Sequence, residues 1–398
     1  MEQNNQVIQS SNISSTQQIA DQPNISNNLR QIIVGPGLEN YQQLVDYPII
    51  PPENKSLLAK YLTPDVWKEL ENQEDISGFS FKQAIFKGLK ITDSQIGVIA
   101  GHEESYKKFA PLFNLIINDY HQPFNVETDF HPPLDLDHTK LLDLGLKFED
   151  DEAIFIKSTR IRFARNIKGM PLQAQVTLDQ RAQIEEMIVN AGINMDGEHK
   201  CSYYSLSKMS KEEINQLIDD HYLYKEQDRF QEAGYIKREW PQARGILMNE
   251  EKTFLMWVNE EDHLRVISMQ QGADFIQVLK RLREAQQKLD RYLQFSHDPH
   301  LGYIASCPSN IGTGLRASFH IHLPLLGQRK DEFEAIASEY YVQIRGANGE
   351  HTETNDHIYD VSNKRRLGSS EVELVKDMFD GVKAMIQREK QLAIENVL

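Results

Sequence analysis

CPSNIGTGLRASFHIHLP, from Cys307 to Pro324, is the stretch around which the rest of the chain is arranged. A lone thiol leads into Pro308 and a polar, glycine-bearing turn of Ser309, Asn310, Gly312, Thr313 and Gly314, followed by strict alternation. The pattern reads as a strand, a tight turn and a second strand. Successive strand side chains point to opposite faces. Leu315, Ala317, Phe319, Ile321 and Leu323 therefore share a core face, and Arg316, Ser318, His320 and His322 share a polar one.

Other strand ends repeat this design. In AIFIKSTRIRF, Phe155, Thr159, Ile161 and Phe163 alternate with Arg160 and Arg162. FLMWVNEEDHLRVISM reads as a hairpin with Asn259-Glu260-Glu261-Asp262 at its tip and Arg265 just beyond. YVQIRGANGEHTETN ends a short strand at Arg345 and opens a polar loop carrying Glu350. Each arginine alone is an ordinary exposed strand residue. Five at strand ends (Arg160, Arg162, Arg265, Arg316 and Arg345) could converge on a polyphosphate, because a guanidinium is always charged and its planar fork matches phosphate oxygens.

The 398 residues suffice for two domains and a tail. With 43 Lys and Arg against 59 Asp and Glu, the net charge of −16 argues against nucleic acid or an anionic membrane as partner. Two cysteines, Cys201 and Cys307, make no disulfide framework and point to a reducing compartment. No apolar run is long enough for a membrane span, and the first residues lack a basic signal-peptide region, so a cytoplasmic location is expected. Residues 1–46, rich in Gln, Asn and Ser, read as a disordered tail.

A helical region follows. Thr63 caps a helix with Pro64 at its first position, and further helices are expected over Phe81 to Leu89 and Glu103 to Asp119. Between these two lies the non-periodic loop Asp93 to Ile99. After Pro132 and Pro133, from about residue 141, strands and amphipathic helices mix. Capping boxes at Thr177/Gln180, Ser210/Glu213 and Ser370/Glu373 mark helix starts, and helices are expected over Ala273 to Tyr292 and Ser370 to Ala393.

No GxxxxGK[ST] motif occurs, and Gly312-Thr313-Gly314 is too short for a dinucleotide fingerprint. A nucleotide would have to be held by arginines, with Mg²⁺ carried by nucleotide oxygens and water and Glu260 behind its waters; no protein metal site is expected. Glu260, Glu261 and Asp262 either form an ordinary solvated turn or align a cationic substrate, one of them removing its proton. A thiol at the turn of Cys307 could be held as a thiolate beside a cation, whereas Cys201 reads as inert core. His320 and His322 lack a third ligand and read as hydrogen-bonding groups rather than a metal pair.

With their spacings, CPSNIGTGLRAS, VNEEDHLRVISMQ, STRIR and RGANGEHTE resemble the signatures of the phosphagen (ATP:guanidino) kinases, over nearly everything after residue 50. The resemblance implies an α+β fold: a small all-α N-terminal domain (47–132) bearing guanidino specificity, and a larger catalytic domain (141–398) with an antiparallel eight-stranded sheet flanked by helices. It implies reversible transfer of the γ-phosphoryl group of MgATP to a guanidino nitrogen. Carried over residue by residue, nucleotide contacts fall on Arg160, Arg162, Arg265, Arg316 and Arg345, on Ser158, Thr159, Ile161, His221, Ala317, Ser318, Phe319, His320 and Asp360, and on Gly346, Ala347, Asn348, Gly349 and Glu350. The catalytic group falls on Glu261, Glu350 and Cys307. The acceptor falls on Glu261, Cys307 and the loop Ser94, Gln95, Ile96, Gly97, Val98 and Ile99.

Glu350, the ending IYDVSNKRRLGSSE and the length of that loop resemble the branch acting on L-arginine. That branch usually reads SGVGVY in the loop, with backbone amides and a tyrosine closing on the amino acid end. Here SQIGVI lacks the tyrosine hydroxyl. Taurocyamine or another guanidino acid is therefore the alternative acceptor. A protein-arginine kinase, a catalytically silent nucleotide-binding protein and a His320/His322 metallohydrolase are further alternatives. The family also implies an Asp93–Arg229 ion pair between the domains, closure of the loops 93–99 and 346–357, and either a monomer or a homodimer.

Overall fold

The computed structural model describes residues 40–346 and 356–396. Ten strands are β1 Ile156–Arg165, β2 Ser202–Ser205, β3 Gly245–Met248, β4 Phe254–Val258, β5 Leu264–Gln271, β6 His297–Asp298, β7 Gly302–Tyr303, β8 Leu315–His322, β9 Val342–Gly346 and β10 Ile358–Asn363. All but β6 and β7 form one antiparallel sheet in the order β2-β3-β4-β5-β1-β8-β10-β9. The helices Leu178–Ile193, Phe275–Leu289 and Glu371–Glu395 contribute their apolar stripes to a single core with one face of this sheet. Alternation drives that packing: Thr159, Ile161, Phe163, Leu315, Ala317, Phe319 and Ile321 are all fully buried. Each large apolar side chain so buried contributes about 1.5–3 kcal/mol.

N-terminal to the sheet stands a helical unit with its own core, built on Leu57–Tyr61, Pro64–Leu70, Phe81–Lys90 and Ala110–Tyr120. Thr63 accepts a hydrogen bond from the Val66 amide and Pro64 opens the helix, as expected. All three capping boxes form at Thr177, Ser210 and Ser370.

Several expectations need correction. Residues 40–46 are folded: Asn40 caps a short 3-10 turn and Leu44 is buried in the helical core. The remainder of the expected tail lies outside the described residues. The first strand starts at Ile156, because Asp150–Ala153 forms a helical turn closed by Glu149 and Glu152. The helix expected over 103–119 is broken at Phe109, two residues before Pro111, which sits in the first turn of the next helix and supplies no amide donor to continue the preceding one. The strand leading into Cys307 is only the two-residue β7. Beyond it the backbone of Ile304, Ala305 and Ser306 finds partners outside any ladder: Ser296 and Asn166, the Tyr106 hydroxyl, and the Ala100 amide.

Candidate active site

The face of the sheet turned away from those helices is where the strand-end arginines meet. Cross-strand register places Arg162 opposite Arg316, Arg160 opposite Ser318, and Arg265 opposite Ala164 on one side and Trp257 on the other. A second row runs across four strands: Arg345 opposite Asp360, Asp360 opposite His320, and His320 opposite Ser158. Antiparallel partners project to the same face, so these groups share one polar floor. Its wall is the Tyr224–Trp257 pair, with the Arg160 and Arg265 guanidinium carbons 5.3 Å and 5.6 Å from the Trp257 ring. His221, in the left-handed region after the helix Lys211–Asp219, lies near enough to His320 to lower its pKa, although burial of His320 is the larger cause.

This floor is short of anions. Nε and Nη2 of Arg160 and Nε of Arg316 are buried without a hydrogen-bond acceptor, and Arg162 makes no hydrogen bond or ion pair among the described residues. Burial, and then Arg160, Arg265 and Arg316, pull the Arg162 guanidinium well below its usual pKa; burial and Arg316 bring Arg160 down to about 10. Arg316 is partly compensated by Asp360 at 3.0 Å. Burial alone would raise the Asp360 carboxyl, but Arg316 and His320 hold it below its usual range. Buried cations lacking acceptors are a site for a multiply charged anion, and the donor set fits a nucleotide polyphosphate.

Beside the floor, the tip of the β4–β5 hairpin presents its carboxylates. Asn259 adopts φ 57°, and its side chain links Gln173, Arg181 and Ala243, fixing the turn. Glu260 does not face solvent: it pairs with Arg265 at 2.7 Å and its Oε1 accepts from Gln231 at 2.8 Å. Asp262, read as a turn acid, is a buried strut, its Oδ1 accepting from Asn166 at 2.8 Å and from the Ser306 amide at 2.7 Å. The Ser306 hydroxyl in turn donates to the Glu261 carbonyl at 2.8 Å, and Asn310 donates to Glu261 Oε2 at 3.2 Å. Glu261 and Cys307, 46 residues apart in the chain, are thereby brought close enough for the carboxyl to act on the thiol.

Burial raises the Glu261 carboxyl to about 7; Lys87 opposes this, while Asp262 and Glu260 add to it. Cys307 departs from the expected thiolate. Its thiol is pushed up by burial, with Lys87 and the Ser309 hydroxyl at 3.1 Å acting in the other direction. The turn behind it is tightly built: Arg366 donates to Ser309 O and Asn310 Oδ1, both at 2.7 Å, and a Cβ on Gly312 (φ 94°) would lie 2.3 Å from Arg366 O. Cys201 is buried, its thiol raised to about 12.

Not every expected contact faces the site. The side chains of Thr159, Ile161, Ala317 and Phe319 point into the core, with the Thr159 hydroxyl donating to Gly272 O. Period-two alternation forbids neighbours in one strand from sharing a face. In the loop 93–99, Ile96, Val98 and Ile99 are buried in the helical core, Ser94 Oγ accepts from the Gly97 amide, and only Asp93 and Gln95 are exposed. The loop therefore offers backbone, and the amides of Gln95 and Ile96 donate to no acceptor among the described residues. Asp93 and Arg229 do pair, with one contact at 2.9 Å. Arg345 and Gly346 end β9 beside Asp360 and Tyr359. Ala347, Asn348, Gly349 and Glu350 lie outside the described residues. Among the described residues no cluster of His, Cys, Asp and Glu could hold a metal, and no helix is long and apolar enough to cross a membrane.

The sequence reading missed Lys87. Its side chain is buried, and it exerts the strongest charge effect on both Glu261 and Cys307. The signal available was a lysine amid the buried positions of AIFKGL.

Residues 183–392 match the family described as ATP:guanido phosphotransferase, C-terminal catalytic domain, and residues 52–118 match its N-terminal domain. An arginine kinase of Limulus polyphemus is 46% identical over 340 residues, 85% of this chain and 94% of that protein. An arginine kinase of Anthopleura japonica is also 46% identical over 340 residues, but the chain spans about half the length of that protein, 47%. Among solved structures, lombricine kinase is 36% identical with a TM-score of 0.79, covering 90% of this chain and 97% of that one. The duplicated taurocyamine kinase of Schistosoma mansoni, with bound transition state analog components, is 36% identical with a TM-score of 0.79, covering 85% of this chain and 46% of that one. With both domains matched in order on an antiparallel eight-stranded sheet, this chain belongs to the ATP:guanido phosphotransferase family.

Proposed function

We propose that the protein reversibly transfers the γ-phosphoryl group of MgATP to the guanidino group of L-arginine, giving phosphoarginine and ADP. The observation that carries this reading is the set of buried, acceptor-poor guanidinium groups on β1 and β8, beside which the hairpin tip brings Glu261 close to Cys307. Arg160, Arg162, Arg265 and Arg316, with Arg345 at the sheet edge, take the phosphates, while Ser158, His221, Ser318, His320 and Asp360 bound the nucleotide side. Glu261 and Cys307 hold the guanidinium, with Glu350 as the third group of the set. The guanidino nitrogen attacks the γ-phosphorus in line, the bond to the ADP oxygen breaks, and the nitrogen's proton passes to Glu261. Magnesium, held on the nucleotide oxygens, neutralises charge on the phosphates. Catalysis is alignment and charge stabilisation, without a covalent intermediate.

In this reading 47–132 sets acceptor specificity and 141–398 is the catalytic domain. The loop amides of Gln95 and Ile96 take the acid end of the amino acid. The arginine kinases of Limulus and Anthopleura support arginine as acceptor, whereas the absent hydroxyl at Ile99 leaves taurocyamine as the competing one. Two buried free thiols support a cytoplasmic setting, as a monomer or homodimer. A coupled ADP-release assay with MgATP and a panel of arginine, taurocyamine, creatine, glycocyamine and lombricine tests the assignment. Arginine should be turned over fastest, and Glu261→Gln should lose orders of magnitude in kcat while still binding nucleotide. Faster turnover of another acceptor overturns the specificity, and near-normal activity of Glu261→Gln overturns the mechanism.

A further inference from the structure

Lys87 sits in the helix Phe81–Lys90, one residue before the point where that helix touches the loop. A Cβ on Gly88 would lie 2.3 Å from the Gly97 carbonyl oxygen, so the two backbones are in direct contact there. Its side chain is only 6% exposed, and its ammonium lies 5.8 Å from the Phe230 ring, in the seam where the segment Arg229–Ala233 and the β4–β5 tip approach the helical unit. The neighbouring cations of the seam are neutralised: Arg229 by Asp93, and Arg265 by Glu260. Lys87 makes no hydrogen bond and no ion pair among the described residues. The stem is enclosed while the ammonium carries no protein anion, so an anionic group of a ligand can complete the site.

Any guanidino acid carries two opposite charges. Its cationic end belongs at Glu261 and Cys307, and the Lys87 charge is felt more strongly at those two groups than any other. Lys87 is thus within electrostatic reach of Glu261 without pairing with it, the ion partner of Glu261 being Arg265 at 3.5 Å.

We propose that Lys87 is a specificity-determining residue whose ammonium binds the carboxylate, or other acid group, of the guanidino substrate beside the amides of Gln95 and Ile96. This inference rests on the phosphotransfer reading above. A lysine here favours acceptors with an exposed acid group and disfavours those ending in a cation, because like charges in a closed pocket repel. It supplies from the helix side a polar contact on the acceptor that Ile99, buried and apolar, does not.

The test compares L-arginine with agmatine, which keeps the guanidino group and the amine but has no carboxylate, at saturating MgATP. Lys87→Met keeps most of the apolar stem, and Lys87→Arg keeps the charge. The wild-type protein should prefer arginine over agmatine. Compared on the alkaline plateau, where Glu261 is ionised in both proteins, Lys87→Met should lose roughly ten- to a hundredfold in kcat/KM for arginine, mainly through KM, and should lose nothing, or gain, for agmatine, whose cationic end is relieved of a like charge. Lys87→Arg should recover much of the loss, with KM for MgATP unchanged throughout. Equal losses for both acceptors, or none for either, overturn the inference while arginine turnover by the wild type leaves the catalytic reading standing. If the wild type turns over no guanidino compound at all, the catalytic reading falls and the inference falls with it.

Discussion

In the proposed reaction the Glu261 carboxylate must be ionised to accept hydrogen bonds from an incoming guanidinium, yet burial in the free protein pushes its pKa up to about 7. Burial is the principal cause, with Asp262 and Glu260 on the same hairpin tip adding to it. Lys87 from the helical unit and Arg265 from β5 oppose it, while Asn310 donates to Oε2 and Cys307 is buried close by. The sign follows directly: an acid with a raised pKa is protonated below that value, so the competent fraction falls as pH falls through 7. One unit below, about one molecule in ten is ionised, and kcat/KM for arginine should be about tenfold under its plateau. Once arginine is bound, its cation stabilises the carboxylate, so the limb in kcat should lie at lower pH than the limb in kcat/KM. The assay is initial-rate ADP release from about pH 5.5 to about pH 8.5 with MgATP saturating at every point. Lys87→Met should move the kcat/KM limb upward, because it removes the strongest charge favouring the anion. An acid limb in the ordinary carboxylate range, below about pH 5, or an unaltered limb in Glu261→Gln, would refute this account.

Three further outcomes are expected. Arg162→Met removes a cation enclosed with three others and lacking a partner, so the nucleotide-free protein should gain thermal stability while losing the shift in Tm produced by MgADP; a fall in Tm of the free protein would contradict the repulsion inferred here. Gly88→Ala forces a Cβ to 2.3 Å from Gly97 O, so it should cost about 1–3 kcal/mol in denaturant unfolding and raise KM for arginine more than for MgATP. Asp93→Ala breaks an ion pair whose side chains are more than half exposed, and should leave the unfolding midpoint essentially unchanged, with any residual effect vanishing at high salt.

Why some of this was legible in the sequence and some was not follows from the range of the forces involved. Strand parity is local, and it separated Arg316, Ser318 and His320 from Leu315, Ala317 and Phe319 correctly, since one buried face leaves the alternation no freedom. Capping at Thr177, Ser210 and Ser370 is equally local. The same parity shows where carrying over whole runs of residues fails: Thr159, Ile161, Ala317 and Phe319 lie within the arginine-bearing runs but on the wrong face. Asp262 and Lys87 could not be placed at all. A turn acid and a helical lysine are solvated by default, and what buries them comes from elsewhere in the chain: Asn166 and Ser306 around one, the Arg229–Ala233 segment and the hairpin tip around the other. Reaction chemistry is thus written in strand faces that any window of the sequence displays. Which helix residue is enclosed beside the hairpin tip, by contrast, is set by packing between segments more than a hundred residues apart, and no window of the sequence displays it.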